Sequence, residues 1–406
     1  MPARRRPDTV RELEALQQEE RGAAAEPALK PEDFERKLRE SIHQGIISSR
    51  LESGGLDAVV AEANEHEKLV DEKYKSLLAQ WSIDDPTQWS RFEAPGMRWG
   101  IANLSDKIES AFARHGWPLP EPPVIGTLTT GQVSAVTQKT ATGSPIVLID
   151  NGFFNFAHIL SQITVFSAYD LQVRGGLSEA VVQIVSDLAA THTVMNTCLY
   201  LYRRPTPPQF RPQVNTFHEA ICLFVLAHEH AHISVGDLEA HPLHSEEAKT
   251  LRSKEFAADQ IGFITSAEET HDPSGYWLGV YGAFLYFAGL DLLGRARAAY
   301  EGRAATFETK ESSEYPTPYE RTVNLLQWLE KAPFAEPYLE HVRAASRCYN
   351  IILSAWDLVM PGFWAAREAL REFDPAVNGG VRNPDADVLG VVQTAWHYVS
   401  EHLAQS

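Results

Sequence analysis

Residues 221–232 read ICLFVLAHEHAH, an apolar run that ends in the pattern H-E-x-x-H. The run predicts a buried helix, because its successive residues are apolar on every face. In such a helix His228 and His232 lie four residues apart and share one face. Two imidazoles at this spacing can bind one zinc ion. Burying them beside Glu229 without such a partner would cost free energy, so the stretch predicts a metal site.

Glu229 lies next to the face that carries the two histidines and can reach a water molecule there. A zinc ion lowers the pKa of a water that it binds from about 15.7 to near 7. We therefore expect Glu229 to act as a general base. His230 is turned away from this face, and we expect it to be a packing or surface residue.

A catalytic zinc site needs a third protein ligand and an open fourth position. The metzincin pattern is excluded, because Val235 and Leu238 stand where it requires glycine and histidine. His241 and His244 follow in a segment that contains proline, and they stay open as candidates.

Residues 255–259 read EFAAD, inside a helix predicted from about 245 to 263. Glu255 and Asp259 are four residues apart and therefore share a face. We expect Glu255 to be the third ligand and Asp259 to accept a hydrogen bond from a ligand histidine, which would fix its tautomer. Ala257 and Ala258 permit a close approach of the two helices.

The pair H-E-x-x-H and E-x-x-A-D resembles the gluzincin metallopeptidases, the broad group that includes thermolysin. Glu255 follows His232 by 23 positions, which is plausible for that group. The resemblance implies that His228, His232 and Glu255 are zinc ligands. It also implies that Glu229 is the base and that Asp259 supports a ligand.

The segment before the motif predicts a hairpin of strands 133–137 and 145–150, followed by a helix from about 153 to 168. It resembles the corresponding part of the CAAX-prenyl-protease-like peptidases, which are compact gluzincins. An edge strand at this place can pair with an extended substrate. An ordinary structural hairpin explains the segment equally well.

Residues 314–321 read EYPTPYER and are similar to the His-Pro-then-Arg segment of the same peptidases. In those proteins the histidine helps to stabilise the oxyanion, and Tyr315 stands at its place here. A tyrosine hydroxyl can donate a hydrogen bond to an oxyanion, so we expect Tyr315 to be catalytic. Pro316 and Pro318 also indicate a helix start, which leaves a structural role open. Arg321 could pair with a carboxylate near the site.

Composition narrows the class of protein and its compartment. The 406 residues carry a formal net charge of −18, which excludes a general nucleic-acid binder. Three cysteines without C-x-x-C spacing, and no apolar signal segment after Met1, predict a cytoplasmic protein. The apolar stretch 276–290 is shorter than a membrane span, so we expect a buried helix under the zinc site.

The chain as a whole predicts a mostly helical α+β fold, with a zincin-like domain, a small β-sheet and accessory helical layers. We expect a disordered or frayed tail over 1–26 and a helical accessory region over 27–117. The zincin-like catalytic domain covers 118–332. A C-terminal helical region over 333–406 packs on it, with a helix from about 338 to 373 that breaks at Pro361.

These features predict a zinc metalloendopeptidase that hydrolyses peptide bonds of a specific protein substrate. In outline it resembles the Lit-type phage-exclusion peptidases, which suggests a regulatory, stress or phage-defence role. The alternative is a zincin-fold binding or scaffold protein with a structural zinc, closed by His241 or His244 as a fourth ligand. Region 27–117 is then a platform for a protein partner, although a plain helical layer accounts for it as well.

Overall fold

The structure is a computed structural model of the chain. It describes residues 7–21, 39, 70–72, 75–76, 95–198, 206–236, 245–270, 277–303, 315–332, 336, 338–375 and 384–405.

Along the chain, the three described strands come after the first two described helices and before the other eight. The strands are β1 (Val124–Leu128), β2 (Ala135–Lys139) and β3 (Pro145–Asp150). The helices are α1 (Pro7–Arg21), α2 (Pro95–His115), α3 (Asn151–Arg174), α4 (Glu179–Met195), α5 (Arg211–Ser234), α6 (Ser245–Glu269), α7 (Tyr281–Tyr300), α8 (Pro318–Leu329), α9 (Leu339–Leu370) and α10 (Pro384–Gln405).

The prediction of a mostly helical α+β fold with a small sheet is confirmed. The sheet is mixed and has the strand order β1-β3-β2, so β2 lies at an edge. The predicted hairpin corresponds to β2 and β3, which are joined by a turn in which the Thr140 amide donates to the Ser144 carbonyl. Strand β1 was not predicted, because a proline-rich stretch precedes it.

The chain divides into two compact units. Unit 1 comprises residues 1–105, 121–127 and 139–146, and unit 2 comprises 106–120, 128–138 and 147–406. None of the boundaries predicted after residues 26, 117 and 332 coincides with a boundary between these units.

Helix α1 belongs to unit 1, and its inner face is buried. Leu13 is fully buried, and the Gln17 side-chain amide donates a hydrogen bond of 2.7 Å to the Thr127 carbonyl of β1. The Ala141 amide donates to Glu12 at 2.8 Å. Residues 7–21 of the predicted tail thus form a helix, because a few apolar positions at helical spacing suffice to bury one face.

The core of unit 2 forms around α5. Every residue from Ala220 to Ala231 is buried, as the apolar run predicts. Helix α6 approaches α5 at Gly262, where an added Cβ would lie 2.9 Å from the Phe224 carbonyl oxygen and 3.2 Å from the His228 nitrogen. Ala258, one turn earlier, is fully buried, so small side chains set the distance between the two helices.

Helix α9 continues through Pro361, and the predicted break is wrong. A proline inside a helix removes one backbone hydrogen bond, but tertiary packing can compensate for this loss. The neighbouring Gly362 packs so closely against α10 that a Cβ there would lie 2.5 Å from the Val399 Cα. Across the described ranges, no helix has both the length and the apolar character to cross a membrane.

Candidate metal centre

Helices α5 and α6 bring one donor atom from each of His228, His232 and Glu255 within 4.8 Å of one another. The two histidine Nε2 atoms are 3.1 Å apart. Glu255 Oε2 lies 3.5 Å from His228 Nε2, and Glu255 Oε1 lies 3.7 Å from His232 Nε2. Ligand atoms of a tetrahedral zinc ion with bonds of about 2.0–2.1 Å are separated by roughly 3.3 Å. The three predicted ligands therefore meet with the spacing that one small cation requires.

Asp259 contacts His228, the first of the predicted ligands. Its Oδ1 lies 3.0 Å from His228 Nδ1, and its side chain is 2% exposed. A carboxylate only accepts hydrogen bonds, so Nδ1 carries a proton and donates it. This arrangement orients His228 Nε2 towards the other two donors, which is the usual support for a metal-binding histidine.

Arg321, in the first turn of α8, contacts both carboxylates of the cluster. Its Nε donates to Asp259 Oδ2 at 2.9 Å, and its Nη2 donates to Asp259 Oδ1, so the pair is bidentate. Its Nη1 is 3.7 Å from Glu255 Oε2, and the guanidinium lies 4.7 Å above the ring of Phe287. The pairing of Arg321 with a carboxylate near the site is thus observed.

The buried charges of this cluster shift one another strongly. Burial opposes the charged form of His228, but hydrogen bonds with Asp259 and Glu255 outweigh it and raise the pKa of His228 to about 9. Burial likewise opposes the charged form of Glu255, but His228 and Arg321 lower the pKa of Glu255 to about 2. The pKa of Asp259 is also lowered: burial opposes ionisation, and Arg321 and His228 overcome it. The cluster is therefore a compensated network of two cations and two anions.

The predicted base, Glu229, is 7% exposed and follows the first ligand on α5. Thr137 of β2 contacts it through its hydroxyl, with Oγ1 2.8 Å from Glu229 Oε2 and 2.9 Å from the Glu229 carbonyl oxygen. Thr137 was not predicted as a site residue, because nothing in the sequence relates this strand to one side chain of the motif. The contact places the edge strand directly beside Glu229.

Tyr315 is 47% exposed and precedes the start of α8. Thr317 caps that helix: its hydroxyl accepts from the Glu320 amide at 3.2 Å, and Glu320 Oε2 accepts from the Thr317 amide at 2.7 Å. The segment therefore has the structural role that its prolines indicate. A catalytic role for Tyr315 stays a prediction.

Tyr286 is a tyrosine near the cluster that was not predicted as a site residue. It lies on α7, in the stretch predicted as a buried helix under the site, and its ring is 6.0 Å from that of Phe224. Burial raises the pKa of Tyr286 to about 12, and the charges acting on it include those of Arg321 and Glu229. It is therefore a neutral hydroxyl close to the charged cluster.

Of the remaining histidines near the motif, the structure describes His230 but not His241 and His244. His230 is fully buried, its Nδ1 is 2.7 Å from the Leu226 carbonyl oxygen, and its ring meets Phe112 edge-on. The predicted packing role is confirmed. His241 and His244 lie outside the described residues.

Comparison of the chain with protein-family models, with curated proteins and with solved structures found no match. The fold and the site define a mostly helical α+β protein with a candidate His–His–Glu metal centre. The geometry and chemistry of this centre are therefore the basis for inferring a function.

Proposed function

We propose that the protein is a zinc-dependent peptidase with a gluzincin-type ligand set. The observation that carries the proposal is the meeting of His228, His232 and Glu255, at separations of 3.1 to 3.7 Å, beside a buried glutamate. Two imidazoles and one carboxylate are donors that suit zinc, whereas magnesium and calcium prefer oxygen donors alone.

A zinc ion held by these three residues would polarise a peptide carbonyl and make a water molecule acidic. Glu229 takes a proton from the attacking water, whose oxygen forms a bond to the carbonyl carbon. As the carbon–nitrogen bond breaks, Glu229 delivers that proton to the leaving nitrogen. Asp259 and Arg321 hold His228 in the tautomer and orientation that binding requires.

An extended stretch of polypeptide is the substrate that the surroundings favour. Strand β2 is at the edge of the sheet, and its Thr137 contacts the base. A peptide that adds to this edge by main-chain hydrogen bonds would run past Glu229. We further propose a specific protein substrate in the cytoplasm, since the three cysteines are free and such thiols are typical of reducing compartments.

Substitution of the base tests the proposal. We expect Glu229→Gln to keep the zinc content of the wild type and to lose cleavage of fluorescein-labelled casein and of a quenched fluorogenic peptide library. The matched control is Glu219→Gln on the same helix, whose carboxylate pairs with Lys107 instead. Zinc content is measured by mass spectrometry, and new protein termini in a lysate identify the substrate.

Two outcomes would contradict the proposal. Cleavage by Glu229→Gln at the wild-type rate would show that Glu229 is not the base. A wild type that holds zinc with four protein ligands and cleaves nothing would favour the alternative of a binding or scaffold protein with a structural zinc. In contrast, loss of most of the zinc from Glu255→Ala would support Glu255 as the third ligand.

A further inference from the structure

Thr137 is the residue of the edge strand that reaches the base. Successive side chains of a strand point to opposite faces, so Thr137 faces α5 while its neighbour Val136, 46% exposed, points away. The Thr137 hydroxyl lies within hydrogen-bond distance of two oxygens of Glu229, one in the carboxylate and one in the backbone.

A threonine hydroxyl has one hydrogen to donate, and an ionised carboxylate only accepts. The hydroxyl can therefore make one good hydrogen bond to Glu229 at a time. The bond to the carboxylate, rather than the bond to the backbone carbonyl oxygen, is the one that can restrain the side chain. This bond engages Oε2 at 2.8 Å and leaves Oε1 as the oxygen that takes a proton.

A buried glutamate needs such a restraint. Its side chain loses up to about 2 kcal/mol of rotamer freedom when it is held in one orientation, so an unrestrained carboxylate would occupy several. Proton transfer requires the acceptor oxygen within hydrogen-bond reach of its partner. A displacement of about 1 Å can reduce a rate by about 100-fold.

We propose that Thr137 is a positioning residue for the general base: its hydroxyl holds the Glu229 carboxylate in the orientation that accepts the proton. This inference rests on the proposed peptidase function. It also gives the edge strand a second role, because a peptide paired with β2 lies on the strand that orients the base.

The test compares Thr137→Val, which has nearly the same shape without the hydroxyl, with Thr137→Ser, which keeps it. The probe is the quenched fluorogenic peptide that the full-length, zinc-loaded wild type cleaves fastest. We expect Thr137→Val to reduce kcat by about 10- to 100-fold with KM within about twofold, since the misplaced group acts in the chemical step. Thr137→Ser should stay within about threefold of the wild type. All variants should hold the wild-type amount of zinc.

A second readout does not depend on activity. Thermal unfolding of the zinc-loaded protein is compared for Thr137→Val in the wild type and in a Glu229→Ala background. We expect the valine substitution to lower the unfolding midpoint less when the carboxylate is absent, because interacting residues are not additive. Thr142→Val, in the turn after β2, serves as the control. It should leave kcat unchanged, and it should shift the unfolding midpoint equally in the wild-type and Glu229→Ala backgrounds.

Four outcomes would overturn the inference. Equal kcat for Thr137→Val and the wild type would show that the hydroxyl does not position the base, while the peptidase function would stand. Additive midpoints in the two backgrounds, or failure of Thr137→Ser to retain activity, would show that Thr137 acts through packing alone. A zinc-loaded wild type that cleaves no peptide would remove the proposed function together with the positioning role.

Discussion

The affinity of the site for zinc should depend steeply on pH because of His228. Its contacts with Asp259 and Glu255 raise the pKa of His228 to about 9 in the metal-free protein. A metal ligand must be the neutral imidazole, so zinc has to displace this proton. The contacts of Asp259 and Glu255 with His228 therefore make zinc compete with a proton on His228 at neutral pH.

The size of the effect follows from the pKa. At pH 7 a group with a pKa of about 9 is about 99% protonated, so the apparent zinc affinity is reduced by about 100-fold. Two pH units correspond to about 2.7 kcal/mol. We expect the affinity to rise by about tenfold from pH 7 to pH 8 and to level off around pH 9.

Competition with a chelator of known affinity at pH 7, 8 and 9 measures this dependence. Calorimetry in two buffers with different heats of ionisation counts the protons released, and we expect about one from His228 at pH 7. Asp259→Asn is the control: it removes the charge that favours protonated His228, so the slope should flatten. An affinity that changes by less than about threefold between pH 7 and pH 9 would show that zinc does not displace a proton from His228.

The same shifts predict how the stability of the metal-free protein depends on pH. The pKa of His228 is raised above its unfolded value of 6.5, so this contribution is complete below pH 6.5 and is lost as the pH rises through about 9. The pKa of Glu255 is lowered from 4.5 to about 2, so its contribution is complete above pH 4.5 and is lost as the pH falls towards 2. Denaturant unfolding at fixed pH values should therefore find greatest stability between about pH 4.5 and 6.5.

Three substitutions test the packing around the site and in unit 1 by urea unfolding of the metal-free protein. Arg321→Met should cost about 3–5 kcal/mol, because it leaves the buried Asp259 without its bidentate partner, and a loss below about 1 kcal/mol would contradict this pairing. Gly262→Ala should cost about 1–3 kcal/mol, since the added Cβ meets backbone atoms of α5, whereas unchanged stability would mean that the helices can separate without cost. Leu13→Ala should cost about 2–5 kcal/mol, which is more than Leu16→Ala should cost, because Leu16 is only half-buried on the same helix. Equal small losses for the two substitutions would indicate that residues 7–21 are a frayed tail.

The parts of the fold that the sequence predicted are those governed by local periodicity. The apolar run before the motif predicted the buried helix α5, and two short runs of strand-forming residues separated by turn residues predicted the hairpin of β2 and β3. The predictions that failed depended on packing between distant segments. Pro361 indicated a break, yet the close contact of Gly362 with α10 accompanies a continuous helix.

Within the candidate site, the spacing of residues along the chain is enough to show which side chains share a helical face. Four positions separate His228 from His232, and four separate Glu255 from Asp259. Residues at this spacing are neighbours on one face of a helix. The packing of α5 against α6 is what brings the two faces together, with donor separations of 3.1 to 3.7 Å.

The residues that surround the site also come together only through tertiary packing. Thr137 precedes Glu229 by 92 positions, and Arg321 follows Asp259 by 62, so no local pattern connects either pair. Hydrophobic periodicity tells which face of an element is buried but not which neighbour covers it. That choice follows from the packing of helices and strands against one another, and it placed a five-residue motif in a buried, charge-compensated cluster.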